Sequence, residues 1–240
     1  MRELAAFFYA VFAVMPLPGG NDFASDSFDL AGGKLTVTFI GHATLMLEYA
    51  GKVIHVDPVS QYADYAALPK ADIILVTHNH GDHLDAAAIR AVSTPGTVLV
   101  ANAESVKQLG SGLPLRHGES RSVAGIQVTA VPAYNTSVGR DRFHPAGRDN
   151  GYILELGGRR IYIAGDTEDT AEMKALRDIW IAFLPMNQPY TMTPAQVASA
   201  AKAFRPAILY PYHFGQTDTA ELVELLKAEK GIEVRIRKLA

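Results

Sequence analysis

Residues 77–85 read T-H-N-H-G-D-H-L-D, and the reading of the whole chain turns on them. The chain has eight histidines, and His78, His80 and His83 fall within six positions together with Asp82. The segment before them, ADIILVT, is a short apolar run of the kind that forms a buried strand. The cluster therefore sits just past a strand's C-terminal end, the edge at which open α/β sheets bind their ligands. Two positions apart in extended backbone, His78 and His80 project to the same side. Gly81 permits a sharp turn, after which Asp82 and His83 open a helix predicted from about Leu84 to Val92. Taken singly, Asp82 is explained as a helix N-cap and a lone histidine as a solvated surface group. Three imidazoles held together repel one another when protonated, so the group as a whole points to a cation that organises it. Neutral imidazole and carboxylate donors suit zinc, with manganese and iron as alternatives.

Composition narrows the chemistry further. The chain contains no cysteine, which excludes disulfides, thiolate zinc sites, iron–sulfur clusters and a cysteine nucleophile. Its 240 residues, 48% hydrophobic and 20% charged, fit one large globular core. A net charge of -3 gives no basic face for a phosphate backbone, so nucleic acid is not an expected partner. From Leu4 to Leu17 the chain is uncharged, too short for a stable membrane span of about 20 residues but matched to a signal-peptide core of about 7–15. Residues 1–30 are accordingly expected to be a signal peptide or N-terminal extension, and residues 31–240 the functional domain. A cleaved signal would place the protein in the periplasm or outside the cell, and its absence in the cytoplasm.

The rest of the chain shows one pattern twice. LTVTFI (35–40), ATLMLEY (43–49) and KVIHV (52–56) are strand-like, the last two joined through Ala50-Gly51, and YILEL (152–156) and RIYIA (160–164) are joined through Gly157-Gly158. The first hairpin leads to Asp57 and the second to Asp166. Alternating strands and helices then follow in each half, with helices predicted near 170–177, 194–204 and 218–229 and strands at IWIAFL, AILYP and IEVRI. In the last helix Leu222, Leu225 and Leu226 form a stripe that would lie on a sheet.

T-H-N-H-G-D-H resembles the H-x-H-x-D-H signature of the metallo-β-lactamase-fold hydrolases, and the likeness extends over roughly residues 34–215. GHATLMLEY, the FHP triplet and AGDTED are most similar to the UlaG-like group within that superfamily. The resemblance implies an α/β fold, an αβ/βα four-layer sandwich of two mixed sheets with outer helices. It implies one or two divalent metals: His78 and His80 for the first, Asp82 and His83 for the second, Asp166 bridging both, and His213 completing the second. VDP at 56–58 is similar to an early structural aspartate motif. The family has a further histidine between Asp82 and Asp166, and where it would fall, in VPAYNTS, this chain has Asn135. An amide oxygen is a poorer zinc ligand than imidazole, so the first site would be weak, three-liganded, or completed by His144. His42 in IGHAT is a candidate for contact with metal or substrate, whereas His55 and His117 are expected to be structural.

The implied activity is hydrolysis of an ester, lactone, amide or phosphodiester by water activated at the metal, with Asp82 orienting that water and moving its proton. No G-x-S-x-G occurs, so a serine nucleophile has no support. Asn187, Gln188 and Tyr190 are expected near the mouth, and Arg140, Arg142 and Arg148 would suit an anionic small-molecule substrate. Two alternatives stand beside this: an iron-dependent oxidoreductase with the same ligands, and a metal-binding protein whose site is incomplete at Asn135. Oligomeric state is not specified by any motif.

Overall fold

Two hairpins with identical turns set up the architecture. Tyr49 pairs with Lys52 across Ala50 and Gly51, whose φ angles are 50° and 75°. Leu156 pairs with Arg159 across Gly157 and Gly158, at 56° and 76°. Positive φ at both central positions defines the two-residue turn whose twist matches that of the flanking strands. In this computed structural model residues 23–239 are described, so the Leu4–Leu17 segment and its proposed export role lie outside the described residues.

Each half runs as a four-stranded meander followed by three parallel strands. In the first, β1 (Ala24–Leu30), β2 (Gly33–Gly41), β3 (Thr44–Tyr49) and β4 (Lys52–Val56) are antiparallel, and β5 (Ile73–Val76), β6 (Val98–Ala101) and β7 (Leu113–Pro114) continue the sheet in parallel. In the second, β8 (Ser120–Val123), β9 (Ile126–Ala133), β10 (Asp149–Leu156) and β11 (Arg159–Ile163) form the meander, continued by β12 (Ile179–Pro185), β13 (Ile208–Tyr212) and β14 (Glu233–Val234). The crossovers carry α1 (Ala86–Val92) and α2 (Ala103–Leu109) on the first sheet, and α3 (Ala171–Lys174), α4 (Pro194–Phe204) and α5 (Thr219–Leu226) on the second.

Three apolar layers hold the sandwich together. Between the sheets, Phe39, Leu45 and Ile73 from one face meet Leu154, Phe183 and Tyr210 from the other. Phe183 and Tyr210 stack with ring centroids 5.2 Å apart and only 11° between planes. Deleting a fully buried Phe183 side chain would cost about 3–5 kcal/mol in lost transfer energy and cavity. Outside, α1 packs on the first sheet through Ala88, Ile89 and Val92, and α4 on the second through Val197, Ala200 and Ala201. The chain therefore has the expected four layers.

Several boundaries differ from the sequence reading. Ala24–Leu30 is an edge strand paired residue by residue with Gly33–Phe39, so the domain begins before residue 31. Its Asp26 accepts hydrogen bonds from Arg237 at 2.9 and 2.7 Å and from the Tyr210 hydroxyl, tying the first strand to the second sheet. Helix α1 starts at Ala86 because Asp85, not Asp82, caps it, accepting from the Ala87 and Ala88 N–H groups. In α5 Leu222 and Leu226 are buried but Leu225 is 37% exposed, since the helix is shorter and turned further than the stripe implied. Strands β1, β6, β7, β8 and β9 and helix α2 were not among the expected elements; β7 has two residues and β1 and β8 are mostly polar, whereas β9 alternates in burial and was overlooked.

Candidate metal centre

The C-terminal ends of β4, β5, β11 and β13 meet at one edge, and each delivers a polar residue there. Asp57, directly after β4, is fully buried with φ 44° and donates its N–H to Leu75 O. Its carboxylate accepts from the Thr77 N–H at 2.8 Å, the Thr77 hydroxyl at 2.7 Å and His83 Nδ1 at 2.8 Å. Having donated its hydrogen, the Thr77 oxygen accepts from His78 Nδ1 at 3.0 Å. One buried carboxylate thereby assigns the tautomer of two imidazoles and leaves both Nε2 lone pairs facing inward. The His83 and Leu84 N–H groups both close on His80 O, which folds the histidine loop into a tight turn.

Ligand-type atoms within 4.8 Å of one another fall into three sets, the third of which, His78, His83 and Asp166, links the group of His78, His80 and His144 to the group of His42, Asp82, His83 and His213. Asp166 lies between them, 3.4 Å from His83 Nε2, 3.2 Å from His213 Nε2 and 3.4 Å from His144 Nε2. Gly165 makes that placement feasible. At φ +65° an added Cβ would come 2.6 Å from Asn150 O and 3.1 Å from Thr77 Cβ. His42 and His213 also adopt left-handed backbone, at 52° and 46°, and the His213 N–H donates to His42 O. Such non-glycine conformations cost of order 1–3 kcal/mol each and persist where the surrounding structure enforces them.

Electrostatics differ between the groups. Burial pushes His78 well below the usual imidazole range, helped by the neighbouring imidazoles, and burial followed by His144 lowers His80. Burial also disfavours charge on His83 and His213, yet Asp166 overrides it, holding His83 well above its ordinary value and His213 up at about 9. Burial would raise Asp166, and the His213 and His83 imidazoles instead hold it well below. Burial likewise opposes ionisation of Asp82, and His213 and His42 reverse it. His83 Nε2, Asp166 Oδ1 and His213 Nε2 are buried without a hydrogen-bond partner among the described residues. Each such orphan costs about 1–3 kcal/mol. Imidazole and carboxylate donors with unsatisfied atoms converging on one place fit a divalent cation.

The sequence candidates separate clearly. Asn135 belongs to neither group. Its N–H donates to His144 O at 2.9 Å, and its Nδ2 donates to Tyr190 O at 2.7 Å and Arg140 O at 3.2 Å. Its backbone and Nδ2 are thus held by the loop that carries His144, while its buried Oδ1 has no hydrogen-bond partner among the described residues. Gln188 is turned away, donating to Thr191 O in its own loop. The arginines expected to meet an anion are engaged, Arg140 with Glu168 at 3.3 Å and Arg148 with Asp149 at 2.6 and 2.8 Å. His55 Nε2 bonds Pro69 O and His117 Nε2 bonds Asp149 O, both remote from the two groups. Sequence reasoning missed Asp149, which is fully buried and orients His144 through Nδ1 at 3.2 Å, and Glu168, whose carboxylate gathers Thr136 and Ser137 at the loop's base. Glu168 lies in the AGDTED segment but two residues past the carboxylate that segment was read for, and Asp149 sits in no motif, so neither role had a local signal of its own.

The groups open onto a pocket of about 270 Å³ whose lining includes Asp82, Asp166 and His213 together with Phe143, Asn187 and Tyr190. A description of a beta-lactamase superfamily domain matches residues 36–213. A UPF0173 metal-dependent hydrolase from Pelotomaculum thermopropionicum is 30% identical over 84% of this chain and 96% of its own. A crystal structure of a protein from Parabacteroides distasonis, named as a metal-dependent hydrolase, superposes with a TM-score of 0.88 at 57% identity, covering 91% of this chain and all of that one. The metallo hydrolase Igni18 of Ignicoccus hospitalis follows at 0.72 and 25% identity over 86% of this chain and 96% of its own. With matched domain, sandwich and ligand-bearing edge in agreement, the chain belongs to the beta-lactamase superfamily domain family and has the metallo-β-lactamase fold.

Proposed function

We propose that this protein is a metal-dependent hydrolase of small molecules, with two divalent ions held by His78, His80 and His144 on one side, Asp82, His83 and His213 on the other, and Asp166 shared. The observation that carries the reading is the pair of donor groups meeting at Asp166 on the wall of an open pocket. Donor chemistry favours zinc, with manganese or iron as alternatives. Divalent cations bound there would polarise a carbonyl or phosphoryl oxygen and lower the pKa of a water from about 15.7 towards 7.

The chain's own residues supply the rest. Asp82, 46% exposed at the pocket, orients the attacking water and accepts its proton at Oδ2. A carboxylate held below its ordinary range keeps that proton only briefly, and His42 Nε2, 3.2 Å away, is placed to take part in the transfer. Phe143 and Tyr190 shield the reacting face from bulk water. Overall the bond from the acyl or phosphoryl centre to its leaving group breaks, water's oxygen joins that centre, and a proton reaches the leaving group. The UlaG-like assignment is supported by position, because GHATLMLEY, FHP and AGDTED each bring one residue (His42, His144, Asp166) to the pocket. His144 beside His78 and His80 gives the first group three imidazoles, which weighs against an incomplete, non-catalytic site. For the apolar Leu4–Leu17 segment, we read export, which sequencing of the mature N-terminus tests.

The functional experiment is elemental analysis of purified protein followed by assay on ester, lactone, amide and phosphodiester panels. Close to two zinc per chain, with turnover that Asp82→Asn reduces at least about 100-fold, is expected for loss of a positioned proton acceptor. Iron with visible absorbance and no hydrolysis, or bound zinc with no turnover on any panel, would overturn the hydrolase reading.

A further inference from the structure

Resting on the hydrolase reading, we infer that the non-reacting part of the substrate is uncharged and flat, gripped by Phe143 and Tyr190 and recognised through one polar atom by Asn187. Phe143 and Tyr190 meet edge to face with centroids 5.0 Å apart, forming an aromatic wall in the pocket that Asp82 and Asp166 also line. Such a wall binds planar apolar groups by stacking and offers no countercharge.

Asn187 adds a polar contact that is already aimed. Its N–H donates to the Thr191 hydroxyl at 2.7 Å, and its carbonyl accepts from the Tyr190 and Thr191 N–H groups, so its backbone is fixed. Its carboxamide makes no hydrogen bond to any described residue and lines the pocket. Gly215 leaves room for it: a Cβ there would come 3.2 Å from Asn187 Oδ1. A free carboxamide can donate to a carbonyl or accept from an N–H.

Among the described residues no lysine or arginine lines this pocket, and the Arg148 guanidinium reaches 3.5 Å from Nε2 of the lining residue His80. Arg140 and Arg148 are neutralised by Glu168 and Asp149. The Arg142 guanidinium lies over the Phe143 ring at 4.7 Å, on the exposed rim. A carboxylate carried on the remote end of a substrate would thus lose hydration against aromatic rings with no partner, which is costly.

The test uses metal-loaded protein in two arms. In the first, kcat/KM is compared for phenyl acetate and 4-carboxyphenyl acetate. The uncharged ester should be favoured at least about tenfold, the cost of desolvating an unpaired charge. Preference for the carboxylate, whether or not Arg142→Gln abolishes it, overturns the inference while leaving the hydrolase reading intact. In the second arm, benzamide binding is measured by ligand-observed NMR, which needs no turnover. Asn187→Leu should weaken it about fivefold, the loss of one hydrogen bond, and Tyr190→Ala should weaken it too, with metal content unchanged in both. No benzamide binding to the unaltered protein, or equal binding by all three proteins, overturns it. If no ester, lactone, amide or phosphodiester is cleaved yet benzamide binds and responds to both variants, the hydrolase reading falls and the pocket assignment stands.

Discussion

The all-imidazole group and the mixed group lie on either side of Asp166, yet they are held by different means. His78 and His144 are each fixed through Nδ1, by the Thr77 hydroxyl and the Asp149 carboxylate, and burial keeps His78 neutral. In the mixed group His83 is keyed by Asp57, but neither ring nitrogen of His213 has a hydrogen-bond partner among the described residues, and Asp82 is nearly half exposed. One group consists of imidazoles alone, two of them aimed through Nδ1, while the other adds a carboxylate and is partly open. A cation in the first depends on the number and aim of neutral donors, whereas the second adds Coulomb attraction from Asp82. On this comparison the mixed group retains metal longer in a chelator titration, and the all-imidazole group empties first.

Removing the residue the groups share breaks the comparison altogether. Asp166→Asn should strip metal from both and lower turnover by at least about 1,000-fold, since the centre's chemistry depends on the cation. Unchanged metal-to-chain ratios by elemental analysis would remove Asp166 from the site. Next in size, His144→Ala should empty the first group alone, leaving close to one metal per chain, and loss of both would merge the two groups into one.

Asn135→His sharpens the same point. A histidine there does not add a ligand but severs the ties to Tyr190 and Arg140, which should cost about 1–3 kcal/mol in thermal unfolding without raising metal content. A gain in metal affinity would return position 135 to the site. Smaller still, Asp149→Asn should weaken metal binding by about 10–100-fold in the first group only, and Asp57→Asn should do so at both because it orients His83 directly and His78 through Thr77.

The smallest effect is a control remote from both groups. Asp26 is partly buried, which alone would raise its pKa, but Tyr210, Arg237 and Arg235 lower it below 3.8. Its folded pKa is depressed, so its contribution is complete above the unfolded value and is lost as pH falls through the folded one. Asp26→Asn should cost about 1 kcal/mol near neutrality, fade below pH 4, and leave metal content untouched. A drop in metal on this substitution would show that global destabilisation mimics site loss.

How far the site was legible follows from what sequence encodes locally. H-x-H-x-D-H places four ligand-type side chains in six residues on one loop, so it was readable without any long-range information. Asp166 and His213 were reached through short motifs after strands. Asn135 and His144 are nine positions apart on one loop, and which of them faces the centre depends on how that loop is pinned by Glu168 and Tyr190. The arginines of the same loop suggested an anion; in the fold Arg140 and Arg148 pair with Glu168 and Asp149, and Arg142 lies over the Phe143 ring.

By itself the sequence determined the period-two strands, the paired glycine turns, the absence of thiol chemistry and the donor-rich loop after β5, because each is a property of neighbouring residues. Only the tertiary structure decided that Asp57 and Asp149 aim the imidazoles, that His144 rather than Asn135 joins His78 and His80, and that the pocket wall is aromatic and uncharged. Those outcomes depend on hydrogen bonds between segments far apart in the chain, and such pairings exist only once both sheets have closed on their common core.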